Sequence, residues 1–302
     1  MIRKTITDDG VQVYWDSAKA PRSVVRKSFR AAGFDSLVPL FDPVECLKRV
    51  AHDIVEVAGL KVRGQPIEPK QLRRDVVGVT AVREIKGAKR NDYRNLFSIG
   101  CTGTNADDFE VRFFDVDPVE APDIAKNLQA TEQAAKSLWS GHKDWMPAQD
   151  ITAAIRGLLF RLHGTMLKKS GGVYFLPEEH LQTFEKVVSP IEQSESDLCV
   201  TTCSFDIQAN QRMFDRLLAA LEAEILEQTS KMNEDIASMS DKSKKMRRNG
   251  IERRLSDICR WTEKVEYYEK LMGTTMPKLR EAIDTAQYAI GVHGLVSMGA
   301  KS

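Results

Sequence analysis

The sequence of 302 residues lacks several features that would assign it to a class directly. It has no run that approaches the roughly 20 consecutive apolar residues of a membrane-spanning helix. Basic and acidic residues nearly balance, 44 against 43, so the net charge of +1 creates no long-range field toward nucleic acid or an anionic membrane. The five cysteines include no CxxC pair, which argues against a disulfide framework and a paired-thiol zinc site. We therefore expect a cytoplasmic protein that does not enter a membrane.

One strand and two amphipathic helices are predicted before residue 60. The segment "GVQVYWD" alternates apolar and polar residues, which is typical of a strand. Pro21 then opens a helix that Gly33 ends. Asp42 and Pro43 open the second helix, because aspartate caps helix N-termini and proline is tolerated at the first helical position.

Residues 60–117 are rich in β-branched and aromatic side chains between turn signals. Four such segments, "LKVRG", "DVVGVTAVREI", "YRNLFSIG" and "FEVRFFDV", predict an antiparallel sheet of about four strands. A further helix follows this sheet. Residues 1–145 are therefore interpreted as an α+β domain with an antiparallel sheet.

Residues 146–207 are interpreted as a unit of helix, hairpin, helix and strand. The hairpin "TMLKKSGGVYFLP" follows an apolar helix, an order that resembles a winged helix with Lys168 and Lys169 at the wing tip. The only basic residues of that helix are Arg156 and Arg161, whereas a reader of base edges needs several polar groups. We therefore favour a structural hairpin over a DNA-binding wing.

Residues 208–302 are predicted to form a helical arm followed by a last helix. The favoured arrangement is a long antiparallel helical hairpin of coiled-coil type joined at Asn249 and Gly250, and one continuous rod is the alternative. The interaction surface of this arm is predicted from apolar residues that fit alternating spacings of three and four when Gln228, Asp235 and Lys242 fill the intervening seam positions. These apolar residues are Leu218, Leu221, Ile225, Met232, Met239 and Met246, followed after Gly250 by Ile251, Leu255 and Ile258. The fold class as a whole is α+β, with a β-rich N-terminal half.

A second interpretation concerns nucleic acid. The segment "DKSKKMRRNGIERR" gathers basic residues near the predicted tip of the arm, where they could contact phosphates. The candidate nucleic-acid contacts are Lys168, Lys169, Lys242, Lys244, Lys245, Arg247, Arg248, Arg253 and Arg254. A basic loop at residues 83–94 is a further candidate.

The sequence shows little that predicts catalysis. His142, His163 and His180 have no HExxH-like spacing, so no structural metal, no cofactor and no catalytic residue is predicted. Asp108, Glu110 and Asp115 flank a strand in the manner of some metal-dependent nucleases. The position two residues after Glu110 is an arginine, which stays protonated and is a poor base. A nuclease is therefore the third hypothesis.

The segment "LHGTMLKKSGGVYFLPEE" resembles a motif of an uncharacterised bacterial and phage protein family, in which a Gly-Gly-Val-Tyr-Phe-x-Pro run follows a predicted helix. The similarity covers about 15 residues of 302. Some such families are encoded near MoxR-type AAA+ ATPases, so the resemblance implies an accessory protein of a multi-protein system. This chain has Lys168-Lys169-Ser170 where such motifs carry arginine, so no arginine-dependent role is transferred.

The leading hypothesis is a non-enzymatic assembly or adaptor protein of a bacterial or phage system that acts through its helical arm. Apolar helical seams that contain methionine adapt to irregular partners. A homo-oligomer or a complex with a protein partner is therefore expected, and nucleic-acid binding is the alternative.

The nucleic-acid alternative predicts that affinity for duplex DNA falls steeply between about 50 and 200 mM salt, because each phosphate contact releases counterions. Reversing the charge of Lys244, Lys245, Arg247 and Arg248 to glutamate should abolish binding while the chain stays folded. Fluorescence anisotropy measures the affinity, and circular dichroism checks the fold. Equal affinities of parent and variant would exclude the arm tip as the binding surface.

Overall fold

The computed structural model describes residues 9–16, 18–57, 67–73, 76–83, 92–101, 109–114, 128–168, 172–205, 211–241 and 248–299. Within these ranges the chain has the predicted α+β class. The helices are α1 (Arg22–Ala31), α2 (Pro43–Val57), α3 (Leu128–Asp144), α4 (Ala148–Arg161), α5 (Glu178–Glu192), α6 (Gln211–Asp241), α7 (Arg248–Met272) and α8 (Pro277–Gly299). The strands are β1 (Gly10–Trp15), β2 (Ala20–Pro21), β3 (Ile67–Arg73), β4 (Val76–Arg83), β5 (Asp92–Cys101), β6 (Phe109–Phe113), β7 (Trp145–Met146), β8 (Thr165–Lys168), β9 (Val173–Pro177) and β10 (Val200–Phe205).

Contacts between Cα atoms group the chain into two compact units that are not consecutive in sequence. Unit 1 comprises Met1–Asp16, Ile155–Ser189 and Cys199–Ser302. Unit 2 comprises Ser17–Ala154 and Pro190–Leu198. The sequence-based division into residues 1–145, 146–207 and 208–302 stays a prediction about folding domains.

Unit 2 is built on an antiparallel sheet with the strand order β3-β4-β5-β6. Helix α2 packs on this sheet and on α3. The predicted cap of α2 is confirmed, because Oδ1 of Asp42 accepts the N–H groups of Val44 at 2.9 Å and Glu45 at 3.3 Å. The core of this unit includes Leu47, Val50, Ile54, Val77, Val79, Phe97, Ile99 and Trp139.

The first strand of the unit 2 sheet was not recognised in the sequence. The predicted strand "LKVRG" lies outside the described residues, and β3 contains Pro69. Proline has no N–H to donate, so within a sheet it is tolerated on an edge strand. Strand β3 occupies an edge of the sheet, which explains why a segment of low β-propensity can pair there.

Unit 1 contains an antiparallel sheet with the strand order β10-β1-β9-β8. The predicted strand β1 is central, and its Val13 lies opposite Thr202 of β10 and Tyr174 of β9. Strands β8 and β9 form the predicted hairpin, in which Phe175 is fully buried and Val173 is half-buried. The hairpin thus contributes to a core, which is what we expected of a structural hairpin.

Helix α4 ends at a left-handed residue that is not glycine. The predicted apolar face of α4 is buried at Ile151, Ala154, Ile155, Leu158, Leu159 and Leu162. His163 has a φ of 56°, and the Gly164 N–H donates to the carbonyl of Leu159 at 2.7 Å. This is a helix-capping turn in which the residue before Gly164 takes the left-handed conformation. Gly164 is required for a different reason, since a Cβ there would lie 2.9 Å from the Leu159 oxygen.

Helices α6, α7 and α8 share one core. Helix α8 packs against both α6 and α7, which contact each other much less. Helix α7 begins at Arg248, so Asn249 and Gly250 lie in its first turn and the junction predicted at these residues is wrong. N–H groups of a first turn have no intrahelical acceptor, so residues with poor helix propensity are tolerated there. The shared core includes Leu217, Leu221, Ile225, Ile236, Ile258, Trp261, Val265, Tyr268, Leu279, Ile283, Ala286 and Ile290.

Within the described ranges, none of the helices is both long enough and apolar enough to cross a membrane. This agrees with the lack of a long apolar run in the sequence.

Leu221 and Leu226 provide a matched test of the shared core, since both lie on α6. Leu221 is fully buried, whereas Leu226 is 43% exposed. Leu221→Ala should lower the free energy of unfolding by about 2–5 kcal/mol, because it removes buried methyl groups and leaves a cavity. Leu226→Ala should change it by only about 0.5 kcal/mol. Urea unfolding of both variants measures the difference, and equal losses would contradict the burial of the Leu221 stripe.

Candidate functional site

A groove runs along α6 in unit 1, between this helix and the four-stranded sheet. Its volume is about 900 Å³, which is within the size range of ligand-binding sites. The sheet side of this groove, which we call the α6 groove, is lined by Gln12, Met166, Leu167, Lys168, Val173 and Phe205. The helix side is lined by Met213, Arg216, Ala219, Ala220, Ala223, Glu224, Glu227 and Gln228.

Helix α6 presents two different faces. Leu217, Leu221 and Ile225 recur every four residues and enter the shared core. The groove face recurs at spacings of three and four, which places its residues on one side of the helix. That face carries Met213, Arg216, Ala220, Ala223 and Glu227. One helix therefore stabilises the unit with one face and lines a cavity with another.

Three alanines account for the width of the groove at the helix. Ala219, Ala220 and Ala223 have only a methyl side chain, so the backbone of α6 lies close to the cavity. On the opposite side, Met166 and Phe205 supply larger apolar surfaces. Filling the space between these walls with apolar groups of a ligand would remove apolar area from water, at about 25 cal/mol for each Å².

The uncompensated charge in the groove is positive. Lys168 and Arg216 are exposed, and neither side chain has an ion pair or hydrogen bond to another residue in the part of the chain that the structure describes. Glu224 is paired with Lys264, and Glu227 also has an interaction of its own. An anionic group entering the groove would therefore meet two available cations.

Below the groove, the ammonium group of Lys264 is buried in unit 1. Its side chain is 2% exposed, and its Nζ donates to Oε1 of Glu224 at 2.6 Å and to the carbonyl of Gly164 at 2.7 Å. The Phe160 ring centroid lies 5.5 Å from Nζ, which adds a cation–π contact. Burial lowers the pKa of Lys264, and the Glu224 carboxylate opposes this by favouring the charged ammonium.

A second buried polar group ties α7 to the hairpin. The hydroxyl of Tyr268 donates to the carbonyl of His163 at 2.8 Å and accepts a hydrogen bond from Thr165 Oγ1 at 2.9 Å. Burial raises the pKa of Tyr268 well above its ordinary value, so the hydroxyl keeps the proton that it donates. The left-handed backbone of His163 is thus stabilised from α7.

Aromatic rings surround the same turn. The His163 ring stacks on Tyr267 with a centroid distance of 4.9 Å, and the His180 ring lies 5.5 Å from His163. Burial lowers the pKa of both histidines, so both rings are uncharged at neutral pH. Tyr267 in turn donates to Glu179. These contacts hold the start of β8, and with it Lys168, beside the groove.

The candidate nucleic-acid residues are only partly described. Lys168 lies in the α6 groove, and Arg248 is the first residue of α7. Arg253 is exposed, whereas Arg254 lies 3.8 Å from Asp235 in an ion pair. The remaining candidates, Lys169, Lys242, Lys244, Lys245 and Arg247, lie outside the described residues, as does most of the basic loop at 83–94.

The residues predicted for the interaction arm mostly face inward. Leu221, Ile225, Met232 and Ile258 are buried in the shared core, and Leu218 and Ile251 pack against it half-buried. Leu255 is 40% exposed. The side chains of Met239 and Met246 lie outside the described part of the chain. The arm therefore uses its seam within unit 1, and the groove face is part of the surface that α6 leaves outside this core.

Of the three carboxylates considered for a nuclease, only Glu110 belongs to the described residues. Glu110 is partly exposed and forms an ion pair with Arg112 at 2.9 Å. Asp108 and Asp115 lie outside the described residues. The nuclease hypothesis therefore gains no geometric support from this strand.

Arg216, Glu224, Lys264 and Tyr268 were not predicted as site residues from the sequence. One signal was present, because Lys264 interrupts the stripe formed by Trp261, Val265 and Tyr268 on α7. A single lysine on an apolar helical face indicates either a boundary of the stripe or a buried charge with a partner. The sequence could not show that the partner is a glutamate 40 residues earlier.

Comparisons with known proteins give a family but no function. A model described as a family of unknown function, DUF6744, matches residues 15–297. The match spans most of the chain, so the chain belongs to this family, which confirms membership of an uncharacterised family. No curated protein matches the chain. No solved structure matches it either.

The Lys264–Glu224 pair predicts a specific pattern of stabilities. Glu224→Ala should cost about 3–5 kcal/mol, because it leaves a buried ammonium without its carboxylate. The double variant Glu224→Leu/Lys264→Met should cost less than Glu224→Ala alone, since it removes the unpaired charge. Urea unfolding of the parent, of Glu224→Leu, of Lys264→Met and of the double variant measures the coupling, and Glu224→Ala is measured beside them. Additive losses would show that the two groups do not stabilise each other.

Proposed function

We propose that this member of the DUF6744 family is a non-enzymatic assembly or adaptor protein that binds a segment of a partner protein in its α6 groove. The α6 helix is part of the helical arm that the sequence favoured for interaction. The resemblance of the hairpin motif supports a place in a bacterial or phage multi-protein system. The proposal assigns the partner to the groove face of the arm, because the seam residues are occupied within unit 1.

The observation that carries the proposal is the shape of the α6 groove. Its helix side extends from Met213 to Gln228. At a rise of 1.5 Å per residue this corresponds to about 22 Å along the helix axis. A long cavity with exposed alanines on one side suits an extended or helical chain segment better than a compact small molecule.

The chemistry of the lining supports binding rather than catalysis. Among the lining residues that the structure describes there is no serine, threonine, cysteine or histidine, and the carboxylate of Glu224 is engaged in the pair with Lys264. The apolar surface includes Met166 and Met213, whose flexible thioethers adapt to different side chains. The groove therefore matches a recognition surface.

The available charges define the partner segment. Lys168 and Arg216 favour a segment that carries aspartate or glutamate close to its apolar side chains. A basic segment would meet two like charges and would be rejected. The proposed partner is therefore an acidic, apolar segment of another protein, and a second copy of this chain is an alternative source.

The proposal places the protein in the cytoplasm. None of the five cysteines, Cys46, Cys101, Cys199, Cys203 and Cys259, forms a disulfide bond within the described structure, and the last three are exposed. Free exposed thiols are typical of proteins kept in a reducing compartment.

Nucleic-acid binding is the second candidate, and one observation favours it. The positive charges of Arg161 and Arg253 lie close enough to Arg260 to lower its pKa, after the larger effect of burial. Arg260 also lies over the Phe160 ring at 5.4 Å. Such a group of arginines could contact phosphates. Arg260 is already paired with Asp257, which reduces the charge that it offers.

Panning a displayed peptide library on the full-length chain tests the groove. We expect enriched peptides to combine apolar residues with aspartate or glutamate. The variant Lys168→Glu/Arg216→Glu should bind them at least about tenfold more weakly, because two attractive charges become repulsive. Ala220→Trp should also weaken binding by filling the cavity.

Lys231→Glu is the matched control, since Lys231 is exposed on α6 and does not line the groove. It should leave peptide affinity unchanged. Peptides that bind the parent and the double variant equally would place the binding site elsewhere. A dimer that forms in native mass measurements and is lost in the same double variant would instead identify a second copy as the occupant.

A further inference from the structure

His52, Asp53 and Glu56 form a cluster on α2 in unit 2. One ligand atom from each of these three side chains lies within 4.8 Å of the others. The His52 Nδ1 is 3.7 Å from Asp53 Oδ1 and 4.0 Å from Glu56 Oε1. His52 and Glu56 are one helical turn apart, and Asp53 is next to His52 in the chain, so a single helical turn supplies the whole cluster.

A second helix fixes the orientation of the central carboxylate. His142 of α3 contacts Asp53 Oδ2 with its Nε2 at 2.6 Å. The ring of His142 is largely buried, with 22% of its side chain exposed. This hydrogen bond uses one oxygen of Asp53 and leaves Oδ1 on the side of His52. Carboxylates that ligate metals are themselves hydrogen-bonded by groups outside the coordination shell, and His142 is placed to provide such a bond.

We propose that His52, Asp53 and Glu56 bind a divalent transition-metal ion of the Zn²⁺ class. One imidazole nitrogen and two carboxylate oxygens form a mixed donor set that suits Zn²⁺, Co²⁺ or Ni²⁺. Ca²⁺ requires six to eight oxygen ligands, and Mg²⁺ strongly prefers oxygen, so the imidazole disfavours both. The two carboxylates neutralise the charge of the ion.

The distances allow this binding after small side-chain movements. In a tetrahedral site with bonds of about 2.1 Å, ligand atoms lie about 3.4 Å apart. The observed distances of 3.7 and 4.0 Å from His52 exceed this by about 0.3 and 0.6 Å, and the ligand atoms of Asp53 and Glu56 lie within 4.8 Å of each other. His52 and Glu56 are 61% and 70% exposed, so their side chains are free to rotate by the required amount.

His142 is a positioning residue and not a fourth ligand. Its nitrogen is 2.6 Å from Asp53 Oδ2, which is a hydrogen-bond distance and too short for two atoms that share one tetrahedral ion. The three ligands from α2 leave one coordination position open. Water or a donor from a partner could occupy it.

This site does not depend on the α6 groove, since its residues all belong to unit 2. The sequence predicted no metal because His142, His163 and His180 have no metal-binding spacing. The relevant pattern is His-Asp-x-x-Glu on one helical turn, together with a histidine from another helix.

Metal titration of the full-length chain, first stripped with a chelator, tests the proposal. Cysteines are blocked by alkylation, because Cys199, Cys203 and Cys259 are exposed and could bind Zn²⁺ or Co²⁺ themselves. We expect one equivalent of Zn²⁺ to bind in competition with a chromophoric chelator. Co²⁺ should give the visible absorption of a nitrogen- and oxygen-ligated ion.

Variants then assign the ligands. His52→Ala/Glu56→Gln should lose the saturable site, and His142→Gln should weaken it about 10- to 100-fold at unchanged stoichiometry. Glu45→Gln is the control, since Glu45 is exposed on the same helix and pairs with Lys48. Circular dichroism confirms that the variants are folded. The proposal is overturned if the parent binds no stoichiometric ion, or if the double variant binds it as tightly as the parent.

Discussion

The buried ammonium of Lys264 is the interaction on which unit 1 depends. An isolated charge in a protein interior costs several kcal/mol, so the ammonium requires its partners at hydrogen-bond distance. These partners are Glu224 of α6 and the carbonyl of Gly164 at the start of the hairpin. The position of α7 therefore determines how α6 and β8 are placed, and the groove lies between these two elements.

The groove exists because two faces of α6 carry side chains of different size. Large side chains such as Leu217 and Leu221 fill the core, where close packing leaves little free volume. Alanines occupy the groove face, where a larger side chain would close the cavity. Glu224 contributes to both the groove and the interior, since it lines the groove and compensates the charge of Lys264. The same arrangement leaves Lys168 and Arg216 as the charges that an incoming group would meet.

Local patterns in the sequence predicted many elements of the fold correctly. The cap formed by Asp42, the apolar face of α4 and the hairpin of β8 and β9 each depend on residues within a few positions of one another. Two predictions failed for physical reasons. Proline concealed the edge strand β3, and the propensities of Asn249 and Gly250 suggested a junction where the first turn of α7 tolerates both residues.

The candidate sites were harder to predict from the sequence than the fold was. The sequence by itself determined most of the segments that form helices and strands, and which of their faces are apolar, because the periods of helices and strands are local. Only the tertiary structure decided that α8 covers the seam of the arm, that Lys264 meets Glu224, and that His142 reaches Asp53. These contacts join residues far apart in the chain, and no local period specifies which distant segments will pack together.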